Sequence, residues 1–460
     1  MYQEESTKTK CQTRGKTFTK IKYLSTIAYM NRVWVIVFGD FLAFSVSFLI
    51  ILFIRFGESS FLRAINSHIF PFAILYFSWV FIFYLFGLYD VLNIRPALPN
   101  LKRFGGALSV SFVVGMFLFY FIPIFGISPK TNLIFQVFGF GIVSFFIRRG
   151  FYNIFSKKIT RPVTLVGENK FFEELEQTIK KNPQIGLQII SCEHNLTEAV
   201  QKYLNLKNLL FILEKTSDEI PQNQISNFYK NKIEVIDITE AYEKYLQKIP
   251  VDYIDQSWII RNINSKENIF YNVISKIINI IISSIILIIF SPILLISAIF
   301  IYFYDYGPIF YSQERVGING KIFRLYKLRS MITSSEKNGA VWCVGANDSR
   351  ITPTGRIIRK LHIDEIPQMI NVLHGDLSFV GPRPERPEFV SLLEDTIPHY
   401  RFRHIIHPGF TGWAQIKYRY ANTIENSKEK FEYDLYYIKN RNIFLDLGII
   451  LKTIQIIFTH

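Results

Sequence analysis

The sequence predicts a membrane protein in three parts: an α-helical N-terminal membrane unit, a Rossmann-like α/β middle domain, and an α+β C-terminal domain associated with the membrane. Three observations indicate this fold class. Apolar residues are concentrated in four blocks before residue 150 and in one near residues 271–304, instead of being interleaved as in a soluble core. Strand and helix patterns alternate between these blocks. The chain after them is polar, basic and rich in short strings that contain glycine and proline.

Residues 1–160 are expected to form a unit of four transmembrane helices. The expected spans are Val33–Ile54, Phe70–Leu88, Ala107–Ile124 and Leu133–Ile147, the last being the shortest. Each approaches the ~20 residues needed to cross a bilayer core. The polar N-terminal segment runs into an apolar block that is too long for a cleaved signal peptide, so this block is expected to remain as an anchor. Asp40 in the first span is either a polar site or a contact between helices.

The distribution of basic residues predicts the orientation of this unit. Lysine and arginine are frequent before the first span, after the second and after the fourth, whereas the other two loops contain only Arg55, Arg63 and Lys130. Because positively charged loops stay in the cytoplasm, both ends of the four-helix unit are expected there.

Residues 161–262 are expected to form the α/β domain. Strands are predicted at Val163–Val166, Leu187–Ser191, Leu209–Leu213 and Ile233–Ile238, with helices near Phe171–Lys180 and Ile225–Lys230. This alternation is typical of a parallel, doubly wound sheet. A dinucleotide site needs a glycine-rich first turn, but here the turn contains only Gly167, and Glu168 would repel phosphate. We therefore interpret the domain as structural or regulatory, which disfavours a membrane-anchored nucleotide-sugar oxidoreductase or epimerase.

The fifth apolar block, residues 271–304, contains Ser291 and Pro292 near its middle. Proline removes a backbone hydrogen bond and bends a helix, so the block is either a kinked spanning helix or a re-entrant helix that returns to the same face. A spanning helix would place the C-terminal domain on the side opposite to the middle domain.

Composition narrows the class of ligand. The chain has 52 Lys+Arg against 37 Asp+Glu, a basic excess that suits phosphates or an anionic membrane surface. It has no long basic run and no zinc-finger spacing, so no nucleic acid partner is predicted. Its three cysteines are far apart and form no CxxC pair, as expected in a reducing compartment.

Two basic segments of the C-terminal domain could bind phosphate. Residues 307–331 read as two strands joined by a glycine turn and bring Arg324, Lys327 and Arg329 close together, either as a basic surface edge or as a diphosphate clamp. In residues 375–387, three prolines stiffen a turn that carries Arg383 and Arg386. The C-terminal block Ile443–Phe458 is amphipathic or interfacial.

The acidic pair Asp364-Glu365 precedes Pro367, which suits a first helical turn. Taken alone, Asp364 is most simply a helix N-cap and Glu365 a first-turn acid. The neighbouring basic residues are Arg356, Arg359, Lys360 and His362. They favour a second interpretation, in which cations hold phosphates against the two carboxylates.

Six strings in one order resemble the bacterial sugar transferase family, the polyprenyl-phosphate glycosyl-1-phosphate transferases. They are Tyr311-Ser-Gln-Glu-Arg-Val-Gly317, Lys321 with Phe323, Lys327-Leu-Arg-Ser-Met331, Asp364-Glu-Ile-Pro-Gln368, Gly381-Pro-Arg-Pro-Glu385 and Pro408-Gly-Phe-Thr-Gly-Trp413. Leu328 and Ser330 depart mildly from the usual Phe and Thr. The resemblance covers residues 266–460, and the upstream parts are similar to the large members that start exopolysaccharide, capsule or O-antigen synthesis.

The resemblance implies an enzyme that moves a sugar 1-phosphate from a UDP-sugar to undecaprenyl phosphate and releases UMP. Asp364 would be the nucleophile and carry an aspartyl-phosphosugar intermediate, and Glu365 would bind Mg²⁺. The expected phosphate- or nucleotide-binding residues are Arg315, Lys327, Arg329, Arg356, Arg383, Pro384 and Arg386. Aspartyl-phosphate chemistry makes this nucleophile credible, and Mg²⁺ and arginine supply charge neutralisation.

The same resemblance implies a multi-pass protein of the bacterial inner membrane with the C-terminal domain facing the cytoplasm, where nucleotide sugars occur. This location favours the re-entrant form of residues 271–304. A homodimer is one possible assembly. The alternative is a non-catalytic membrane assembly protein whose basic face binds lipid, which would tolerate Asp364→Asn.

Overall fold

The computed structural model describes residues 4–90, 94–121, 130–158, 160–167, 170–214, 224–263, 269–332, 350–418 and 423–459. The chain divides into two compact units, residues 1–244 and residues 245–460. Glu168 and the end of the predicted third span, residues 122–124, lie outside the described residues.

The first helix, α1 (Glu4–Leu85), contains a break at Gly57, whose φ of 65° and ψ of 174° are not helical. Its apolar part, Val33–Leu85, has 53 residues. A straight helix of that length would extend ~80 Å, far beyond a ~30 Å bilayer core. The break makes an antiparallel hairpin instead: ring centroids of Phe44 and Trp79 are 5.4 Å apart, and those of Phe53 and Phe61 are 5.7 Å apart. The hairpin supplies the first two predicted spans.

Helices α2 (Leu98–Phe121) and α3 (Lys130–Asn153) supply the other two spans. Both are long and apolar enough to cross a membrane, and the apolar part around α3 covers Thr131–Ser156. The fourth span is therefore longer than predicted, because the helix continues past the apolar run into the basic residues that follow it. Together with the hairpin, these helices make the chain a multi-pass membrane protein.

Asp40 is a contact between helices. Its carboxylate accepts a hydrogen bond from Ser144 Oγ at 2.6 Å and pairs with the Arg148 guanidinium. Arg148 Nη1 also donates to the backbone oxygen of Leu88 at 2.6 Å. A buried charge must be paired, and here one arginine of α3 connects the first arm of the α1 hairpin to the turn that follows the second arm.

The rest of the first unit is a four-stranded sheet flanked by helices. Its elements are β1 (Arg161–Val166), α4 (Lys170–Lys181), β2 (Leu187–Glu193), α5 (Leu196–Tyr203), β3 (Leu210–Leu213), α6 (Ile225–Lys230), β4 (Glu234–Asp237) and α7 (Ile238–Tyr245). All strand pairs are parallel, in the order β2-β1-β3-β4. The four predicted strands are confirmed, whereas α5 and α7, only eight residues each, were not predicted.

The second unit combines one long apolar helix with short strands and helices. Its elements are α8 (Gln256–Ile263), α9 (Ile269–Asp305), β5 (Phe310–Val316), β6 (Ile322–Leu328), α10 (Pro353–Lys360), α11 (Gln368–His374), β7 (Ser378–Val380), α12 (Pro387–Thr396), β8 (Gly409–Thr411), α13 (Trp413–Lys417), α14 (Ile424–Asn440) and α15 (Ile443–Thr459). Strands β5 and β6 form an antiparallel hairpin, and β7 pairs with β8 in parallel. Residues 249–259 pack into the core of the second unit. This unit therefore begins before residue 266, where the sequence motifs place its start.

The apolar helix α9 has 37 residues and includes Pro292. The unit packs against both of its halves. Near its start, Asn279 donates to Ser378 Oγ at 3.1 Å and accepts from the Phe379 amide at 3.1 Å. Near its end, buried Ile301 packs with Leu328 and Ile358. The short elements of the unit are thus held along much of one side of α9.

Candidate active site

The acidic pair lies in a short turn between α10 and α11. Asp364 and Glu365 belong to a 3₁₀ turn, Ile363–Glu365, which follows His362 in the left-handed conformation at φ 54°. The interpretation of Asp364 as the N-cap is wrong, because the residue that precedes α11 is Pro367, with helical backbone angles and no side-chain cap. The helical turn begins before the proline, so the carboxylates are left for other contacts.

Glu365 is held by two cations. Its Oε1 accepts hydrogen bonds from Lys327 Nζ at 3.0 Å and from Arg383 Nη2 at 2.5 Å. Burial by itself would raise the pKa of this carboxyl, but the charges of Arg383 and Lys327 outweigh burial and hold the pKa far below its usual range. The two cations therefore favour the ionised form of Glu365, and both bind the same one of its two oxygens.

Asp364 has the opposite environment. The residue is only 6% exposed. Burial and, after it, the charge of Glu365 raise the pKa of Asp364, against the opposing charges of Lys327, Arg359 and His362. Two adjacent carboxylates thus differ in character: one is paired, and the other is poorly solvated. Such a difference is typical of sites where carboxylates have separate chemical roles.

The proline-stiffened turn brings Arg383 to the pair, and the end of β5 holds this turn in place. The Val316 amide donates to the Glu385 carbonyl at 3.0 Å, and Arg315 Nη1 donates to the Pro384 carbonyl at 3.0 Å. The Glu385 carboxylate accepts from Lys430 Nζ at 2.6 Å. Arg315 and Pro384, both predicted to bind phosphate, therefore shape the turn.

A buried ion pair that sequence reasoning did not identify lies behind the turn. Arg403 Nη2 donates to the Arg383 carbonyl at 2.7 Å, and Arg403 Nε donates to Asp434 at 2.7 Å. Both side chains are 2% exposed. Arg403 lies in a 3₁₀ turn that contains no recognisable sequence motif. The sequence signal nearest to this ion pair was the acidic, aromatic motif around Asp434 in α14.

The remaining predicted phosphate ligands lie in three different settings. Arg329 is buried, with Nη2 3.5 Å from the Ile301 carbonyl of α9. Arg356 is exposed on α10. Arg386 lies 3.5 Å from Glu388 at the start of α12. The structure therefore places Lys327 and Arg383 on Glu365 of the acidic pair, whereas Arg329 contacts the backbone near the end of α9.

The donor set suits a metal that also binds substrate. Within the described residues, no group of three or more His, Cys, Asp or Glu side chains could hold a metal by itself. The site offers two adjacent carboxylates, with Glu365 ionised. Magnesium binds through one or two carboxylates together with substrate phosphates, so the residues fit Mg²⁺.

Comparison with known proteins identifies the class. Residues 270–460 match the model of the bacterial sugar transferase family. A sugar transferase of Bacillus subtilis, EpsL, is 46% identical over 152 residues, which are 32% of this chain and 69% of the relative. The chain belongs to the bacterial sugar transferase family.

Two further relatives differ in coverage. The chain is 46% identical over 163 residues to a UDP-N-acetylgalactosamine-undecaprenyl-phosphate N-acetylgalactosaminephosphotransferase of Aeromonas hydrophila, a match that covers 35% of this chain and 38% of the relative. It is 29% identical over 327 residues to a UDP-glucose:undecaprenyl-phosphate glucose-1-phosphate transferase of Klebsiella pneumoniae, covering 67% of this chain and 69% of the relative. The chain thus spans about two fifths of the first relative's length and about two thirds of the second's.

Proposed function

We propose that the protein transfers a sugar 1-phosphate from a UDP-sugar to undecaprenyl phosphate, as the first membrane step of exopolysaccharide, capsule or O-antigen synthesis. The observation that carries the proposal is the pairing of buried Asp364 with Glu365, whose carboxylate is held by Lys327 and Arg383. The names of the Aeromonas and Klebsiella relatives describe this kind of transfer.

In the first half-reaction, a carboxylate oxygen of Asp364 attacks the phosphorus attached to the sugar. A new oxygen–phosphorus bond forms, the bond to the bridging oxygen breaks, and UMP leaves with that oxygen. In the second, an oxygen of the lipid phosphate attacks the same phosphorus and releases the Asp364 carboxylate. The products are UMP and a lipid diphosphate sugar. Burial of Asp364 favours this role, since a poorly solvated carboxylate has less water to shed before it reacts.

The cations beside the pair would meet the charge of the phosphates. Lys327 and Arg383 bind only one oxygen of Glu365 and are partly exposed, with side chains 22% and 32% accessible. Glu365 is the residue that would hold Mg²⁺, which when bound would neutralise phosphate charge. Phosphoryl transfer depends mainly on such positioning and neutralisation. Arg315, Arg329, Arg356, Pro384 and Arg386 stay predicted phosphate or nucleotide ligands.

The proposal includes a re-entrant α9 and a catalytic unit that faces the cytoplasm from the bacterial inner membrane. Its support is the packing of one polar unit on both halves of the helix. Asn279 and Ile301 both contact the unit, yet 22 residues of straight helix would separate them by ~33 Å, about the thickness of a bilayer core. A spanning α9 would therefore carry polar short elements through the hydrocarbon, where unsatisfied backbone groups are strongly disfavoured.

UMP release by the full chain in membranes, measured with a panel of UDP-sugars and undecaprenyl phosphate, tests this function. Asp364→Asn should abolish both UMP release and the acid-stable trapping of a labelled phosphosugar on the protein, because an amide is a poor nucleophile for phosphorus. The matched control is Asp395→Asn, an exposed aspartate of α12, which should turn over like the parent. Turnover of Asp364→Asn near the parent rate would contradict the mechanism and favour a non-catalytic lipid-binding protein.

A further inference from the structure

A groove runs between α2 and α3 on the four-helix unit. It has a volume of about 520 Å³ and is almost entirely apolar. Its walls include Gly105, Leu108 and Phe112 of α2, and Val137, Gly141 and Ile142 of α3. The volume falls within the ~300–1,000 Å³ range of small-molecule sites.

Two glycines give the groove its shape. A Cβ added to Gly141 would lie 2.9 Å from Leu108 Cδ1, so α2 and α3 pack closely at that level. A Cβ added to Gly105 would have no heavy atom within 4 Å. The helices therefore meet at Gly141 and leave open space at Gly105, one helical turn nearer the start of α2.

A second cleft continues the groove toward the basic end of the two helices. It is lined by Phe104, next in sequence to Gly105 of the groove, and by Phe145, about one helical turn after Ile142 of the groove. The arginines Arg95, Arg148 and Arg149 also line it. Arg148 is buried and committed to Asp40. Arg149 is exposed and, within the described part of the chain, has no ion-pair partner, while exposed Arg95 donates to the Lys181 carbonyl at 3.2 Å. An apolar groove thus opens at one end between two accessible arginines.

We propose that this continuous surface binds an anionic phospholipid of the surrounding bilayer, with its phosphate at Arg95 and Arg149 and one acyl chain in the groove. The charge pattern selects this occupant. Basic pockets between transmembrane helices attract anionic headgroups, and arginine matches phosphate oxygens in two-pronged fashion. A helix of a second copy could fill the apolar part but would leave the two arginines without counter-charge.

Native mass spectrometry of the full chain released from nanodiscs tests the site. The probes are phosphatidylglycerol and phosphatidylcholine with identical acyl chains. The parent protein should retain phosphatidylglycerol in preference. Arg149→Gln should lower retention about fivefold, since one arginine near the membrane surface contributes on the order of 1 kcal/mol to binding an anionic lipid, and Arg149→Lys should retain most of it.

Filling the groove provides the second variant. Gly105→Phe places a ring in open space and should remove phosphatidylglycerol retention. Gly150→Phe is the matched control, because Gly150 of α3 also has no atom within 4 Å of an added Cβ and lines neither cavity. Thermal unfolding of all variants separates lost binding from lost fold. Equal retention of both lipids, unchanged retention in folded Gly105→Phe, or displacement of phosphatidylglycerol by equimolar undecaprenyl phosphate would overturn the proposal.

Discussion

Asp364 and Glu365 show how two neighbouring carboxylates acquire different properties. Glu365 receives Lys327 and Arg383 on one oxygen, which stabilises its anion despite burial. Asp364 is buried beside that anion, and burial and the like charge both disfavour its ionisation. The same local sequence therefore contains a fixed charge and a carboxylate whose protonation is sensitive to its surroundings.

The raised pKa of Asp364 predicts a pH effect at the single-residue scale. Asp364 must be ionised to attack phosphorus, so the acid limb of kcat/KM should lie above the pH range of an ordinary aspartate. Arg359 lowers the pKa of Asp364, and Arg359→Gln should therefore raise that pKa and move the acid limb to higher pH. UMP release measured across pH would report the shift.

The control for this prediction carries the same charge change at an exposed position. Lys360→Gln, on the next residue of α10, should leave the acid limb in place. An acid limb that stays put or moves to lower pH in Arg359→Gln would refute the assignment of that limb to Asp364.

The residues of the candidate site were only partly predictable from the sequence. Asp364, Glu365, Lys327 and Arg383 were each predicted from short sequence motifs, and the structure places Lys327 and Arg383 in direct contact with Glu365. Arg403 was not predicted, because a buried arginine without a periodic pattern resembles any surface cation in sequence. Its role depends on Asp434 and the Arg383 carbonyl, which lie 31 and 20 residues away.

At the scale of elements, the turn that carries Arg383 depends on the Arg403–Asp434 pair. Arg403→Leu should cost about 3–5 kcal/mol of unfolding free energy, because it leaves Asp434 buried without its partner. The double variant Arg403→Met, Asp434→Leu should recover stability, since a buried ion pair can be replaced by apolar residues of similar volume. Denaturation of both variants in detergent would measure these changes.

Activity measurements on the same two variants separate a role of Arg403 in positioning the Arg383 turn from a role in stabilising the fold. Both should remain slow in single-turnover UMP release, because each lacks the donor to the Arg383 carbonyl. A stable double variant with the parent's rate would show that Arg403 serves the fold alone.

Gly57 supports a prediction about the membrane hairpin. Its φ of 65° with ψ of 174° belongs to a region almost restricted to glycine, although a Cβ would meet nothing within 4 Å. Gly57→Ala should therefore cost about 1–3 kcal/mol through backbone strain alone. Gly150→Ala, with equal open space but within α3, should be neutral or stabilising by up to about 1 kcal/mol. Equal unfolding free energies for the two variants would contradict the strain argument.

At the scale of the whole molecule, the course of α9 decides which membrane face carries the catalytic unit. Single cysteines at exposed Arg261 and Glu314, before and after α9, should react with an impermeant maleimide from the same side of the membrane. The three native cysteines, Cys11, Cys192 and Cys343, must first be replaced, so that only the introduced cysteine can react. Labelling from opposite sides would establish a spanning helix and exclude the re-entrant form.

The sequence by itself determined the membrane helices, the strands of the parallel sheet and the candidate acidic pair, because these depend on apolar runs, on local periodicity or on adjacent residues. Only the tertiary structure decided how the pair is used. It removed the N-cap interpretation of Asp364, placed Lys327 and Arg383 on Glu365, and buried Arg403 with Asp434. Lys327 and Arg383 lie 38 and 18 positions from Glu365 in the sequence, and Arg403 lies 31 positions from Asp434. Such distances lie beyond any helix or strand period, so packing alone determines which charges meet.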